Sequence, residues 1–141
     1  TAIDNLWMVT PDYSNGNGPF GGLYPRQYCP ENSSFVHAIA TLYCALMIDR
    51  RLDDLDACGE IYIEGAFLKN KLLCALVAQL RPHQKVWLSA DNTGTVLGAS
   101  ALTEFEHYDG SDIAVEPCLA SNFSGMEEYR AQWLFRINQS N

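Results

Sequence analysis

The residues from Glu60 to Leu102 constrain the fold more than any other part of the chain, because strand patterns and helix patterns alternate there. Glu60–Glu64 and Lys85–Ser89 are rich in β-branched and aromatic residues, which is typical of strands. Between them, Asn70–Arg81 has the leucine spacing of a helix, and Pro82 ends it. A strand, a helix and a second strand in this order predict a parallel pair joined by a right-handed crossover. The predicted fold class is therefore α/β.

The turn after the first strand contains candidate binding residues. Loops beyond the carboxyl ends of parallel strands form the crevice in which α/β proteins bind ligands. Gly65 follows the strand directly, and a glycine there lets the main chain approach a ligand without a Cβ atom in the way. Asn70 begins the helix, where unpaired N–H groups and the positive end of the helix dipole are found. These residues alone leave open that the turn is only a connection.

The whole chain is predicted to divide into a loop-rich N-terminal segment, residues 1–32, and a larger domain, residues 33–141, which contains the stretch described above. In the first segment we expect one short strand near Leu6–Val9, and in the second a helix over Ser33–Asp49 capped by Ser33 or Ser34. The polar residues Arg50–Gly59 predict a connection. Further helices are predicted from Thr95 to about Thr103 and over Met126–Asn138, with polar, irregular chain over Phe105–Gly125.

A match to the dinucleotide fingerprint occurs at Gly16–Gly21, and we reject it. That fingerprint requires a strand before it and a helix opening within it, whereas Pro19 lies inside the match and Pro25 follows soon after. A loop is the simpler interpretation.

Composition excludes several classes of function. The chain has 141 residues, of which 48% are hydrophobic and 18% charged, as in a globular domain. A net charge of −8 argues against binding nucleic acid. No apolar run has the length of a membrane span, and no signal peptide is visible, so we expect a cytoplasmic protein without a membrane partner.

Five cysteines are present, and none forms a Cys-x-x-Cys pair. Cys44 and Cys74 lie among apolar residues on predicted helices, so we expect both to be reduced and buried. A thiol enzyme that pairs one cysteine with His37, His83 or His107 is disfavoured, because no cysteine follows a strand or opens a helix where its pKa would be lowered.

From Ser33 to Leu102 the order of motifs resembles the C-terminal domain of the FGGY family of carbohydrate kinases. In that family a strand ends in Gly-Gly, a helix follows, and a second strand leads to a Thr-x-x-Gly-Ala-Ala segment. The matching segments here are Glu64–Asn70, the leucine-rich helix, Val86–Ser89 and Thr93–Ala101. The resemblance implies a ribonuclease-H-like, actin-like ATPase fold. This chain would be a partial C-terminal domain with a short, mainly parallel sheet flanked by helices.

The same resemblance implies the ligands and their contacts. ATP and Mg²⁺ would be the cofactors, and the intact enzyme would transfer a phosphoryl group from ATP to a hydroxyl of a small sugar. Gly65 and Ala66 would lie against the adenosine, and Asn70 would contact the adenine. Gly94 and Thr95 would lie further from the nucleotide. Ala66 departs from the family's second glycine, and its methyl group would narrow the nucleotide pocket or shift nucleotide preference or affinity.

The family's catalytic Asp and its phosphate-binding Gly-Thr loops belong to sequence upstream of the segment that this chain resembles. We assign no catalytic residue and no metal ligand here, and we expect this chain to be a fragment that is inactive by itself. The alternative is a non-catalytic α/β binding or scaffold domain. The open edges of an incomplete sheet also predict self-association into a homo-oligomer.

Overall fold

The computed structural model describes residues 2–14, 16, 18–31, 34–89, 99, 102–107 and 114–139. The described chain forms two compact units, which we call the terminal unit (residues 1–57 and 122–141) and the central unit (residues 58–121). The predicted division between residues 1–32 and 33–141 stays a prediction. In chain order, the strands and helices are β1 (Met8–Thr10), β2 (Arg26–Tyr28), α1 (Val36–Asp54), β3 (Ile61–Ile63), α2 (Lys71–Leu80), β4 (Val86–Ser89), β5 (Val115–Pro117) and α3 (Met126–Asn138).

The sheet of the central unit has the order β3-β4-β5. β3 runs parallel to β4, with Ile61 opposite Val86, which confirms the predicted strand–helix–strand unit. β5 pairs with the other side of β4 in the antiparallel direction, so the sheet is mixed and not mainly parallel, as had been expected. β5 lies in the segment Phe105–Gly125, which was predicted to be irregular. It is only three residues long and ends in Pro117, a residue that sheets tolerate at an edge.

The apolar face of α2 lies in the core of the central unit. Its buried residues are Leu73, Cys74, Leu76, Val77 and Ala78. The chain that follows β5 is tied to this helix and to β4, since the N–H of Ser121 donates to the carbonyl of Ala75 over 3.0 Å and that of Cys118 to Val86 over 2.8 Å. The predicted bounds of α2 are confirmed to within one residue at each end.

The core of the terminal unit is formed by α1, α3 and the antiparallel pair β1-β2. Tyr129 and Trp133 of α3 are almost fully buried. Their polar atoms bond the main chain at β1, since the Tyr129 hydroxyl donates to the Trp7 carbonyl over 2.7 Å and Trp133 Nε1 to Val9 over 2.9 Å. α3 has the predicted bounds.

The predicted start of α1 is wrong. Phe35 occupies the cap position, and its side chain makes no capping bond. The helix starts at Val36, and the first bond is from the N–H of Ile39 to the carbonyl of Phe35, 2.9 Å. Ser34 is a turn residue, and Ser33 lies outside the described residues.

The predicted end of α1 is also wrong, because the helix continues five residues past Asp49 to Asp54. Ion pairs support the added turn: Arg50 lies 3.0 Å from Asp54, four residues on, and Arg51 also pairs with Asp54. The polar character of these residues therefore marks a solvated helix face and not a connection.

One face of α1 is exposed although its residues are apolar or small. Val36, Ala40 and Cys44, spaced four residues apart, are all exposed. Cys44 was therefore predicted wrongly, whereas Cys74 is buried and burial raises its pKa. All five cysteines are free thiols. In the part of the chain that the structure describes, no helix is long and apolar enough to cross a membrane.

The predicted helix from Thr95 to Thr103 lies mostly outside the described residues. At its end, Leu102–His107 forms a 3-10 helix, which the sequence analysis assigned partly to that helix and partly to irregular chain.

Candidate functional site

The turn after β3 is built around the backbone conformation of Gly65. Ile63 ends the strand, Glu64 is extended, and Gly65 has φ +68°, in the left-handed region. A residue with a side chain would be strained there by about 1–2 kcal/mol. A 3-10 helix, Gly65–Lys69, follows at once and leads to Asn70. Glycine is thus the residue type that this abrupt turn favours.

The space beside Gly65 is open. Among the described residues, a Cβ atom built on Gly65 meets no atom within 4 Å apart from those of its two chain neighbours. Gly65 is half-buried, and Ala66 and Asn70 are exposed. The main chain of this turn therefore faces open space and is not sealed under packed side chains. Such an opening is what a ligand site needs, and the assignment of these three residues to a nucleotide stays a prediction.

Asn70 has a structural role that the sequence analysis did not assign to it. Its Oδ1 accepts the N–H of Leu73 over 3.0 Å, which caps α2. Its own N–H donates to the carbonyl of Phe67 over 3.0 Å, and its carbonyl accepts the N–H of Cys74 over 3.2 Å. The side chain is thereby oriented on the first turn of the helix. Asparagine is among the preferred capping residues, so its position at a helix start was the available signal.

The charges around the turn are mostly positive. Lys69 and Lys71 flank Asn70 and are exposed, and the first turn of α2 contains no acidic residue. Glu64 is the acidic residue that precedes Gly65. Since the chain as a whole carries a charge of −8, this turn is locally more favourable to an anionic ligand than the average surface.

The second half of the predicted crevice lies beyond β4. Ser89 ends that strand and is buried, and residues 90–98 lie outside the described residues. Gly94 and Thr95, the more distant candidates, are among them. The candidate residues that the structure describes are therefore Gly65, Ala66 and Asn70, on the β3 side of the predicted crevice.

In the terminal unit, two carboxylates that could serve as a catalytic base or a metal ligand are already bonded within the fold. Asp12 accepts bonds from the main chain and hydroxyl of Ser14 and from the N–H of Gly16, and the Ser14 bonds lower its pKa. Asp49 is buried and bonds Arg130. Among the described residues, no group of three His, Cys, Asp or Glu side chains is placed to hold a metal ion. No catalytic residue is assigned on these geometries.

A cavity of about 600 Å³ lies elsewhere in the central unit, and no sequence signal predicted it. Its lining includes Ala78 and Gln79 near the end of α2, and Lys85, Val86 and Trp87 at the start of β4. This is the end of α2 opposite to Asn70, so the cavity is separate from the turn after β3.

Open main chain directly after a parallel strand is the arrangement in which α/β proteins commonly bind ligands, and sequence comparison specifies the family. Residues 1–111 match the family described as "Carbohydrate kinase FGGY, C-terminal domain". The chain therefore belongs to the FGGY carbohydrate kinase family, as its C-terminal domain, and has that family's actin-like ATPase fold. The resemblance and fold class stated from the sequence are confirmed.

A solved structure agrees with this fold. The crystal structure of a carbohydrate kinase from Novosphingobium aromaticivorans superposes with a TM-score of 0.80 at 23% sequence identity, over 99% of this chain and 29% of that one. At this identity the likeness establishes the fold alone. The chain spans less than a third of the length of that kinase. No curated protein sequence matches the chain.

Proposed function

We propose that this chain is part of an ATP-dependent carbohydrate kinase and forms the adenosine side of its ATP site. The intact enzyme transfers the γ-phosphoryl group of ATP to a hydroxyl of a small sugar. Membership of the FGGY family over residues 1–111 is the observation that carries this proposal. The open main chain at Gly65, on the β3 side of the crevice, gives the nucleotide a place to bind.

Gly65 and Ala66 place main chain against the adenosine in this proposal. The position that a side chain of residue 65 would occupy is empty among the described residues, so a ligand can approach the backbone closely. Asn70 contacts the adenine edge through its amide, which supplies N–H donors as well as an acceptor oxygen. The capping bond to Leu73 holds that amide in a fixed orientation, which lowers the entropy lost when the base binds.

ATP supplies the phosphoryl group, and Mg²⁺ neutralises the charge on its phosphates when bound. In the described part of the chain no cluster of acidic, His or Cys side chains suits a metal ion. No residue of this chain is therefore assigned to Mg²⁺, and no step is derived through the ion. The contribution of this chain is to position the nucleotide, which is a large part of catalysis in phosphoryl transfer.

Calorimetric titration of the intact protein with ATP tests the proposal. Gly65→Asn keeps a residue that tolerates the left-handed conformation and adds a side chain to the open space, so ATP affinity should fall at least tenfold while the fold is kept. Gly59→Asn is the matched control, since a Cβ there also meets nothing within 4 Å and its φ is ordinary. Equal ATP affinity in wild type and Gly65→Asn would refute the site.

Ala66 favours a second candidate function, a binding or scaffold domain of the same fold without catalysis. The family's second glycine is replaced here by a residue with a methyl group at the proposed adenosine contact. The two functions are separated by assaying the intact protein for sugar-dependent ATP consumption. In the kinase, Ala66→Gly changes the affinity for ATP. In a scaffold, neither ATP binding nor phosphoryl transfer is detected.

A further inference from the structure

We propose that the aromatic ring of Phe67 is the surface on which the nucleotide base stacks, and that it makes the site prefer purine over pyrimidine nucleotides. This inference rests on the proposed function and adds the group that selects the base.

The position of Phe67 places it between the proposed contacts. It lies in the 3-10 helix Gly65–Lys69, two residues after Gly65 and three before Asn70. Its side chain is 54% exposed although it is fully apolar. The described turn therefore presents an exposed aromatic ring within the same short segment as the open main chain at Gly65.

The main chain of Phe67 is already used within the fold. Its carbonyl accepts the N–H of Asn70 over 3.0 Å and lies 3.5 Å from the Sγ of Cys74, which donates to it. These bonds hold the turn against the start of α2. The exposed ring is therefore carried by a segment that hydrogen bonds hold in place.

Stacking on an aromatic side chain suits a nucleobase, because every base has a flat π face. A two-ring purine covers more of a phenyl ring than a one-ring pyrimidine does, so stacking contributes more to purine binding. Asn70 recognises the edge of the base in the proposed function, and Phe67 would recognise its face. Two such contacts on one short segment are enough to fix the position of the base.

Titration of the intact protein with ATP and with UTP tests this inference, because the two ligands carry the same triphosphate. Phe67→Ala should weaken ATP binding roughly tenfold or more and UTP binding less, so the ratio of the two affinities falls. Phe67→Leu keeps apolar bulk without the aromatic ring and should lower the ratio in a folded protein. Phe67→Trp should restore it. Phe135→Ala is the matched control, since Phe135 is also 54% exposed but lies on α3 in the terminal unit.

The outcomes separate this inference from the proposed function. If Gly65→Asn abolishes ATP binding but Phe67→Leu leaves the ATP-to-UTP ratio unchanged, the site stands and the stacking role is wrong. If Phe67→Leu lowers thermal stability with no change in that ratio, the ring is a packing group covered by another part of the intact protein, and the inference fails. If the wild-type protein binds neither nucleotide, both proposals fail.

Discussion

The Oδ1 atom of Asn70 accepts the N–H of Leu73 over 3.0 Å, so the side chain proposed to contact adenine is also the cap of α2. A capping oxygen and a hydrogen-bond donor to a ligand are different atoms of one amide. The two roles can therefore be separated by a substitution that keeps the oxygen and removes the N–H groups.

Asn70→Asp is expected to keep the stability of the protein and to lose affinity for ATP. Aspartate caps helices as well as asparagine does, and its charge is favourable by about 0.3–1 kcal/mol near a helix N-terminus. The substitution removes the amide donors and adds a negative charge beside an anionic ligand, so ATP affinity should fall at least tenfold. Asn70→Ala should lose affinity and also about 1 kcal/mol of stability. Urea unfolding and calorimetry measure the two effects, and normal affinity in Asn70→Asp would contradict the adenine contact.

The conformation of Gly65 predicts a second result, on stability alone. With φ at +68°, Gly65→Ala should cost about 1–2 kcal/mol through backbone strain, because no clash is expected at an open position. Gly65→Asn should cost less, since asparagine adopts this conformation more readily. Gly59→Ala is the control without strain. Denaturant unfolding of the three variants checks the order, and equal stability of Gly65→Ala and Gly59→Ala would be inconsistent with the turn described here.

The parts of the fold that were predicted correctly are those whose signals are local. β3, β4, α2 and α3 follow from periodicity and from breakers such as Pro82. The parallel pairing of β3 with β4 then follows from their order along the chain.

The errors have a tertiary origin. Five residues of α1, Arg50–Asp54, were assigned to a connection because their charges are characteristic of loops, whereas Asp53 among them is bonded by Arg130 of α3. Asp53 and Arg130 are separated by 77 residues in sequence, so no local pattern indicates their pairing. β5 was missed because a three-residue edge strand depends on its partner β4 more than on its own sequence.

The turn at Gly65 was predictable, because a glycine directly after a strand indicates one. The nucleotide that the family resemblance assigns to this turn stays a prediction. The capping role of Asn70 and the exposure of Phe67 depend on how the 3-10 helix orients these side chains, which no sequence period determines.

The ion pair between Arg130 and Asp49 supplies a third prediction. The Nε atom of Arg130 lies 2.6 Å from Asp49, whose side chain is only 3% exposed. Arg130→Met would leave a buried carboxylate without its cation, so we expect a loss of about 2–4 kcal/mol in the free energy of unfolding. Asp53→Asn, which alters the exposed partner of the same arginine, should cost less than about 1 kcal/mol. If urea unfolding gives equal losses for both variants, the buried pair is not the stabilising one.

Alkaline pH is expected to destabilise the terminal unit through Tyr129, which is buried, and Tyr43, which is half-buried. Burial raises the pKa of Tyr129, and burial together with the charge of Asp12 raises that of Tyr43 to about 12. An unfolded tyrosine titrates near ~10, so the unfolded state loses its proton first. Stability should be complete below about pH 10 and fall as the pH rises toward about 12.

Tyr129→Phe distinguishes this explanation from general alkaline unfolding. The variant loses the bond from the hydroxyl to the Trp7 carbonyl, so it should be less stable by about 1–2 kcal/mol at neutral pH. Its melting temperature should decline less steeply above about pH 10 than that of the wild type, because one titrating group is gone. Parallel melting curves for the two proteins up to high pH would show that Tyr129 does not titrate as proposed.

The edge of β3 predicts self-association of the 141-residue chain. In the described residues β3 pairs with β4 on one side, and it is an outer strand of its sheet. An outer strand offers unpaired N–H and C=O groups to a second copy, and Tyr62, 59% exposed, adds apolar surface there.

Lysine on an edge strand opposes such pairing by charge repulsion, so Tyr62→Lys should shift the chain toward the monomer. Tyr24→Lys is the matched control, because Tyr24 is 83% exposed in the terminal unit and lies outside the strands. Sedimentation velocity over a range of concentrations measures the effect. A wild-type chain that stays monomeric throughout, or an equal shift in both variants, would place the cause of association away from β3.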